Sequence, residues 1–434
     1  MTETPRPTTQ RLLQLAGMTA RISGHAARSR WQRLWQDDSE RNAQDAALYT
    51  RIGTEIAATL GDMKGAVMKV GQVVSQYRDL LPAELVDALT RLQNDAPAQP
   101  FSVILPRLHE AFGPDLTRYF RDIEETPIAS ASLAQVHRAR LSDGCEVVLK
   151  VQYPGVDSAV AADLKQLKVA LKIARVLPVR NDILDALFRE IEQSLKAELD
   201  YRIEAAAIER FRQYHADTPQ VVIPAVLAEL SNTRVLTLSY EPGDNLSQLD
   251  ERYDQASRNR IAATLFQALG RQLYQFGEIH CDPHPGNFAA RLDGSLVIYD
   301  FGCIKKVSPR VSGIYAAMTR AALKGDSDAI EAGLIALGAR QTEHTPRLAA
   351  AFYKPWLDLM QRSFSDQITD FASFPLAEQV IALSRDALPN WRAFQPVPET
   401  VMVNRALGGH YWNLRQLGAQ LALKPLLGTV LPAP

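Results

Sequence analysis

Apolar residues recur at three- and four-residue spacing over residues 46–78, where Ile52, Ile56, Leu60, Met63, Val67, Val70 and Val74 mark one side of a long helix. Pro82 starts a second helix through Leu92, and Pro97 and Pro100 close a helical stretch over 46–100. Ser102 can cap a helix over 103–112. From Pro127 the pattern becomes strand, loop and strand: an Ala- and Ser-rich run to Arg140, a turn at Asp143 and Gly144, then Glu146 to Val151 with β-branched residues around Lys150. Helices follow over 157–177 and 182–213, then a strand over 234–239 and a hinge at Tyr240, Glu241, Pro242 and Gly243. A helix over 254–277 leads to two short β-prone segments, 288–290 and 296–299, folded into a hairpin by Asp293 and Gly294. The remainder is helical in pattern, near 309–323, 326–338, 346–363, 376–387 and 399–418.

Composition narrows the setting. The chain has 434 residues, 46% of them hydrophobic, and a formal net charge of −1, which gives no global attraction to nucleic acid. Its three cysteines, Cys145, Cys281 and Cys303, are odd in number and far apart, which fits a reduced, cytoplasmic compartment better than a disulfide framework. No apolar run is long enough to span a bilayer, and the N-terminus lacks a signal-type apolar core. Residues 11–35 are an exception to the even charge: Arg11, Arg21, Arg28, Arg30 and Arg33 face no acid there, and Trp31 and Trp35 add apolar surface. Such a helix can lie on anionic lipid at the inner face of a membrane, or pack on its own domain.

The chemistry concentrates between Glu278 and Cys303. His280, Asp282 and Asn287 form an H-x-D-x-x-x-x-N pattern, and Asp300, Phe301 and Gly302 follow. A nucleotide γ-phosphate concentrates negative charge, and a carboxylate (Asp300) with an amide oxygen (Asn287) makes a hard-ligand pair for Mg²⁺. Asp282 stands where it can accept a hydroxyl proton. Pro283, Pro285 and Gly286 exclude a regular helix, so the loop is rigid and irregular. Upstream, Lys150 ends its strand as a phosphate-binding lysine does. The loop before it, Ala129, Ser130, Ala131, Ser132, Leu133, Ala134 and Gln135, would cover a nucleotide with alanine and serine in place of glycine, and so more stiffly. On the 182–213 helix, Asp200 and Glu204 lie four apart on one face with Glu198 turned away from Asp200, and Glu204 can pair with Lys150. Each acid can equally be part of a solvated face.

Taken together, these residues resemble the UbiB/ADCK family of atypical, protein-kinase-like proteins over roughly residues 50–420. The matching pieces are Lys69-Val-Gly-Gln72 for K-x-G-Q, the 129–135 loop, Lys150, Glu198-Leu-Asp200 for E-x-D with Glu204, His280 to Asn287, and Asp300 to Gly302. The resemblance implies an α+β, bilobal protein-kinase-like fold with a small β-containing N-lobe over 101–240, a helical C-lobe over 241–434, a helical K-x-G-Q extension over 46–100 and a basic arm over 1–45. It implies that the extension covers the substrate cleft, with Lys69 and Gln72 toward Glu198 or Asp200. It also implies ATP or ADP with Mg²⁺ as cofactors, Glu241 among the nucleotide contacts, and a lipid or small-molecule substrate, with a homodimer among the assemblies expected. Quinone-pathway members end in transmembrane segments, whereas residues 424–434 are too short to span, so a branch without that anchor is expected. Cys281 stands where the family more usually has alanine. Two other classes fit parts of the pattern: a small-molecule kinase of the aminoglycoside or choline-kinase type, which shares the H-x-D-x-x-x-x-N loop, and a non-catalytic nucleotide-sensing scaffold.

Overall fold

The computed structural model describes residues 98–130, 133–156, 196–249, 251–342, 347–386, 393–395 and 397–433, with isolated positions between 17 and 55, between 165 and 192, and at 390. The chain divides into two compact units, Met1–Ala205 with Val226–Tyr240, and Ala206–Ala225 with Glu241–Pro434. Lys69, Gln72, Ala131 and Ser132, the 82–92 helix, and most of the 11–35 arm and the 46–78 and 157–177 helices lie outside the described residues.

The first unit is a twisted antiparallel sheet covered by a helix. Helix α1 (Phe101–Phe112) precedes strands β1 (Phe120–Ile123), β2 (Ala129–Ser130), β3 (Ala134–Leu141) and β4 (Glu146–Gln152). Helix α2 (Tyr201–Tyr214) runs out of this unit, and β6 (Val235–Ser239) returns to it after β5 (Val221–Val222). The sheet order is β1-β3-β4-β6, with β2 on β3. Period-two alternation sends Val147, Leu149 and Val151 into a core with Ile104 and Leu108 of α1, and leaves Lys150 on the other face.

Two helix expectations change here. Helix α1 begins at Phe101, not 103, with Pro100 at its N-cap and no side-chain cap, so Ser102 sits in the first turn instead of capping it. Pro fits such a start because its fixed φ is pre-set and the terminal N–H groups lack helical partners anyway. The 182–213 helix is interrupted: Leu199 and Asp200 are non-helical, and α2 starts at Tyr201. Asp200 Oδ1 accepts the Arg202 N–H at 3.1 Å, so the residue caps a helix rather than sharing a helical face with Glu204.

The second unit is mostly helical. Strand β7 (Asp244–Asn245) precedes α3 (Gln255–Arg271), where Asp254 caps the start by accepting from the Ser257 N–H. The expected run to 277 does not stay α-helical: Gln272–Phe276 widens into a π turn, closed by Gly277 at φ 68°. Then come β8 (Glu278–His280), β9 (Phe288–Ala290), β10 (Leu296–Ile298) and β11 (Ile304–Lys306). β9 and β10 form the expected hairpin, with Gly294 at φ 90° and Asp293 Oδ1 accepting from the Ser295 N–H. β10 pairs in parallel with β5, and β11 pairs with β8. Helices α4 (Pro309–Lys324), α5 (Ser327–Leu337), α6 (Ala350–Ser363), α7 (Leu376–Asp386), α8 (Pro398–Gln416) and α9 (Leu423–Val430) follow, with β12 (Thr369–Asp370) and β13 (Gln420–Leu421) paired between them. Helix α6 starts at Ala350 rather than at 346, and residues 343–346 lie outside the description. Among the described residues, no helix is long and apolar enough to cross a membrane.

Candidate active site

In the first unit, β4 and α2 bring Lys150 and Glu204 together. Lys150 Nζ lies 2.7 and 2.9 Å from the two Glu204 oxygens, and the side chains keep only 16% and 6% of their exposure. The ammonium also stands 5.4 Å from the Tyr201 ring centroid, a cation–π arrangement. Burial makes the pair exacting, because each charge has lost water that its partner must replace. The break at Asp200 helps to set this geometry. The Tyr201 N–H donates to the Thr233 carbonyl, and Gln152 Nε2 donates to the Leu199 and Thr233 carbonyls, so the start of α2 is tied to the sheet. Glu198, half-buried, is the last helical residue before the break. Its partner expected from the resemblance, Lys69, lies outside the described residues.

The Ala-rich loop differs from a free phosphate cover. Ala129 and Ser130 form β2 and are exposed, but Leu133 and Ala134 are core residues. Gln135 is fully buried: its Oε1 accepts the Gln99 N–H at 3.0 Å, and its Nε2 donates to the Gln99 carbonyl and toward His137 Nε2. The Gln135 side chain is a clamp on the 98–100 segment and not a group turned toward a ligand.

In the second unit, the loop between β8 and β9 and the end of the hairpin converge. A 3-10 turn over Pro285–Asn287, capped by His284 Nδ1 accepting from the Gly286 N–H, carries Asn287. The Asn287 Nδ2 donates to Asp282 Oδ2 at 2.8 Å, which leaves the amide oxygen as its ligating atom. Hairpin register returns the chain beside Asn287, whose carbonyl accepts the Tyr299 N–H, so Asp300 follows at once. Asp300 Oδ1 accepts the Gly302 N–H at 2.9 Å, which fixes the carboxylate in the Asp-Phe-Gly turn. His280 joins the two motifs. Its Nε2 donates to the Asp300 carbonyl, and its Nδ1 accepts the Asp282 N–H at 3.4 Å, so one tautomer satisfies both contacts. Phe301 is buried between Phe211 and His280. Asp300 and Asn287 together offer hard oxygen donors, the set that Mg²⁺ takes.

Some of the supporting residues carry no motif. Arg405 on α8 places Nη2 at 3.6 Å from Asp282 Oδ1, giving the carboxylate a cationic neighbour. Asn413 donates to the Pro283 carbonyl at 2.9 Å, and Gln272 of the π turn accepts the His280 N–H at 3.0 Å. Glu241, expected among nucleotide contacts, is held within the second unit: its carboxylate pairs with Arg291 at 2.7 Å and its carbonyl accepts the Tyr299 hydroxyl.

Two packing details give tests of this support. A Cβ at Gly409 would lie 2.0 Å from Pro283 Cγ. Gly409→Ala is expected to lose about 2 kcal/mol of unfolding free energy, as overpacking does; an unchanged urea midpoint would show that the loop yields freely. His410 is buried beside Phe288, and burial, with a smaller push from His280, lowers its imidazolium to about 3. The unfolded chain takes up this proton near pH 6.5, so stability is full above that pH and falls as pH drops toward 3. At pH 5 the loss should be about 2 kcal/mol. Buried His215, lowered to about 4 by burial, responds in the same direction. Urea melts at pH 7.5 and 5 should therefore show a drop about 2 kcal/mol larger in the native chain than in His410→Leu; an equal pH effect in both would remove His410 from this role.

Comparison with known proteins agrees with these features. The family described as the ABC1 atypical kinase-like domain matches residues 91–333. The rat protein named atypical kinase COQ8B, mitochondrial, is 30% identical over 86% of this chain and 70% of its own length. The fission yeast (Schizosaccharomyces pombe) atypical kinase COQ8, mitochondrial, is 28% identical over 97% of this chain and 69% of its own. An uncharacterised Synechocystis protein is 34% identical over 73% of this chain, which spans 56% of that relative's length. Among solved structures, the Rv3197–erythromycin complex from Mycobacterium tuberculosis superposes with a TM-score of 0.64 at 26% identity, covering 91% of this chain and 99% of that one. With its strand lysine, its H-x-D-x-x-x-x-N loop and its Asp-Phe-Gly turn on an α+β kinase-like fold, the chain belongs to the ABC1 family of atypical kinase-like proteins, the UbiB/ADCK group that includes the COQ8 kinases.

Proposed function

We propose that the chain binds ATP or ADP with Mg²⁺ and acts as an atypical kinase or ATPase that supports isoprenoid-quinone or other lipid metabolism, rather than phosphorylating proteins in trans. The observation that carries this reading is the convergence of Asp282, Asn287 and Asp300 at one end of the β9–β10 hairpin, each held by a hydrogen bond. Asp300 and Asn287 would hold the metal, which when bound neutralises phosphate charge. Lys150, oriented by Glu204, would pair with nucleotide phosphates. Asp282, steadied by Asn287 and Arg405, would accept the proton of an attacking hydroxyl or water. Lys69 and Gln72 would close the cleft through the E-x-D acids. The lipid part of the reading rests on the family resemblance, and it carries with it the proposed contact of residues 11–35 with an anionic membrane.

Thermal unfolding with ATP or ADP, with and without Mg²⁺, tests the reading. Nucleotide at about 100 times its dissociation constant should add roughly 2.7 kcal/mol to the stability of the folded chain. A shift that needs Mg²⁺ supports the site; no shift with either nucleotide would overturn nucleotide binding altogether.

A further inference from the structure

The second unit contains a cavity of about 320 Å³ whose walls are almost wholly carbon. Leu269, Gly270 and Leu273 line one side, and Met318, Leu357 and Met360 line another. Four lining residues carry hydroxyls, and each hydroxyl is committed to protein. Tyr274 Oη and Thr319 Oγ1 share a hydrogen bond at 3.1 Å, Tyr315 Oη donates to Asn404, and Tyr353 Oη donates to Glu331. A polar guest would lose its hydration here and find few partners to replace it, because the hydroxyl donors are already taken, and water would gain little by entering. The cavity is open to solvent, since half-buried Trp356 and 37% exposed Leu407 are among its lining residues.

Size then limits the guest. An apolar cavity of about 150 Å³ holds benzene, so this one corresponds to about twelve carbon atoms. We propose that the cavity binds one hydrocarbon chain of about ten to twelve carbons, or the end of a longer one, with its polar head left at the mouth in solvent. The walls are shared with the candidate active site. Leu273 and Tyr274 belong to the π turn whose Gln272 accepts the His280 N–H, and Leu407 lies on α8 two residues after Arg405, the neighbour of Asp282. A chain in the cavity therefore presses on the same two elements that hold the H-x-D loop. This inference goes beyond the nucleotide reading and does not need it.

Equilibrium dialysis of the full chain, without nucleotide, against 1-decanol, geraniol and decane-1,10-diol is the test. One molecule should bind per chain with a dissociation constant in about the micromolar range for one or both mono-alcohols. The diol should bind about tenfold more weakly, since a buried hydroxyl finds few partners among these walls. Preference for geraniol assigns a branched prenyl chain, and preference for decanol an unbranched acyl-type chain. Ala322→Phe fills the interior and Leu407→Trp narrows the mouth, and each should weaken binding at least tenfold. Leu407 is exposed enough that its variant folds even where the Ala322 variant does not. Absence of saturable binding would overturn the proposal, as it would if a segment of this chain fills the cavity. Equal affinity in both folded variants, or in Leu407→Trp should the Ala322 variant not fold, would overturn it too.

Discussion

Replacing Asp300 by Asn is expected to lower ATP turnover about a thousandfold, close to 4 kcal/mol of transition-state stabilisation, while leaving the fold intact. The substitution is selective for a structural reason. Asp300 Oδ1 accepts the Gly302 N–H, and an Asn oxygen can accept it equally well, so the Asp-Phe-Gly turn and the burial of Phe301 behind it survive. What changes is the other end of the group, where a carboxylate oxygen becomes an NH₂. That atom cannot ligate a divalent cation, and the negative charge that would balance the metal is gone. Steady-state ATP hydrolysis with a Mg²⁺ titration reads the effect, and the thermal midpoint without nucleotide reads the fold. A variant that folds and keeps turnover within tenfold of the native chain would refute the metal role of Asp300.

The second large effect is on stability. Glu204→Ala takes from the Lys150 ammonium, only 16% exposed, the carboxylate 2.7 Å away, and Lys150→Met takes the same contact from Glu204 at 6% exposure. Each single variant is expected to lose about 3 kcal/mol of unfolding free energy, the low end for breaking a buried pair because Lys150 keeps some water. For a unit of this size that lowers the melting temperature by about 9 °C. The double variant Lys150→Met with Glu204→Leu should recover most of that loss, since apolar groups of similar volume commonly replace a buried ion pair at little cost. It should nonetheless hydrolyse no ATP. Melts of the three variants separate the two contributions. Singles that melt within 1–2 °C of the native chain would mean that the pair is held loosely and contributes about 0.5 kcal/mol.

The sequence carried the hairpin and the lysine strand because their signals are local. Alternation from Val147 to Val151 selects the face of Lys150, and Asp293-Gly294 closes the β9–β10 loop through its own side chain and positive φ. The meeting of Lys150 and Glu204 came from motif order, since no local pattern links residues 54 apart. The helix break at Asp200 was missed because most of Ala197 to Ala207 is helix-prone; Asp200, a favoured cap, was the local hint, and the contacts of Thr233 and Gln152 with the backbone fix the break there. Arg405, Gly409 and Asn413 were missed for a related reason. They sit in an ordinary amphipathic helix, and what they touch, Asp282 and Pro283, lies more than 120 residues earlier. The Gly408-Gly409 pair in mid-helix was a visible hint, because glycine there is unfavourable and Gly409 admits the close approach of Pro283. Gln135 read as a ligand group because a polar residue in a phosphate-loop position invites that role, whereas its partners are the backbone of Gln99 and the ring of His137.

The order in which the chain visits its two units has a consequence for its synthesis. Strand β4 pairs on one side with β3 and on the other with β6, and β6 is translated only after residues 206–225, which belong to the second unit. A nascent chain that has reached Ala205 therefore displays β4 as a bare edge, with Val147, Leu149 and Val151 beside unpaired backbone groups. Cutting the gene there, or stalling the ribosome there, exposes a strand ready to pair with any neighbour. Neither unit can be excised as one continuous segment, so a smaller soluble fragment of the first unit has to carry the chain through Ser239 or join residue 205 directly to residue 226.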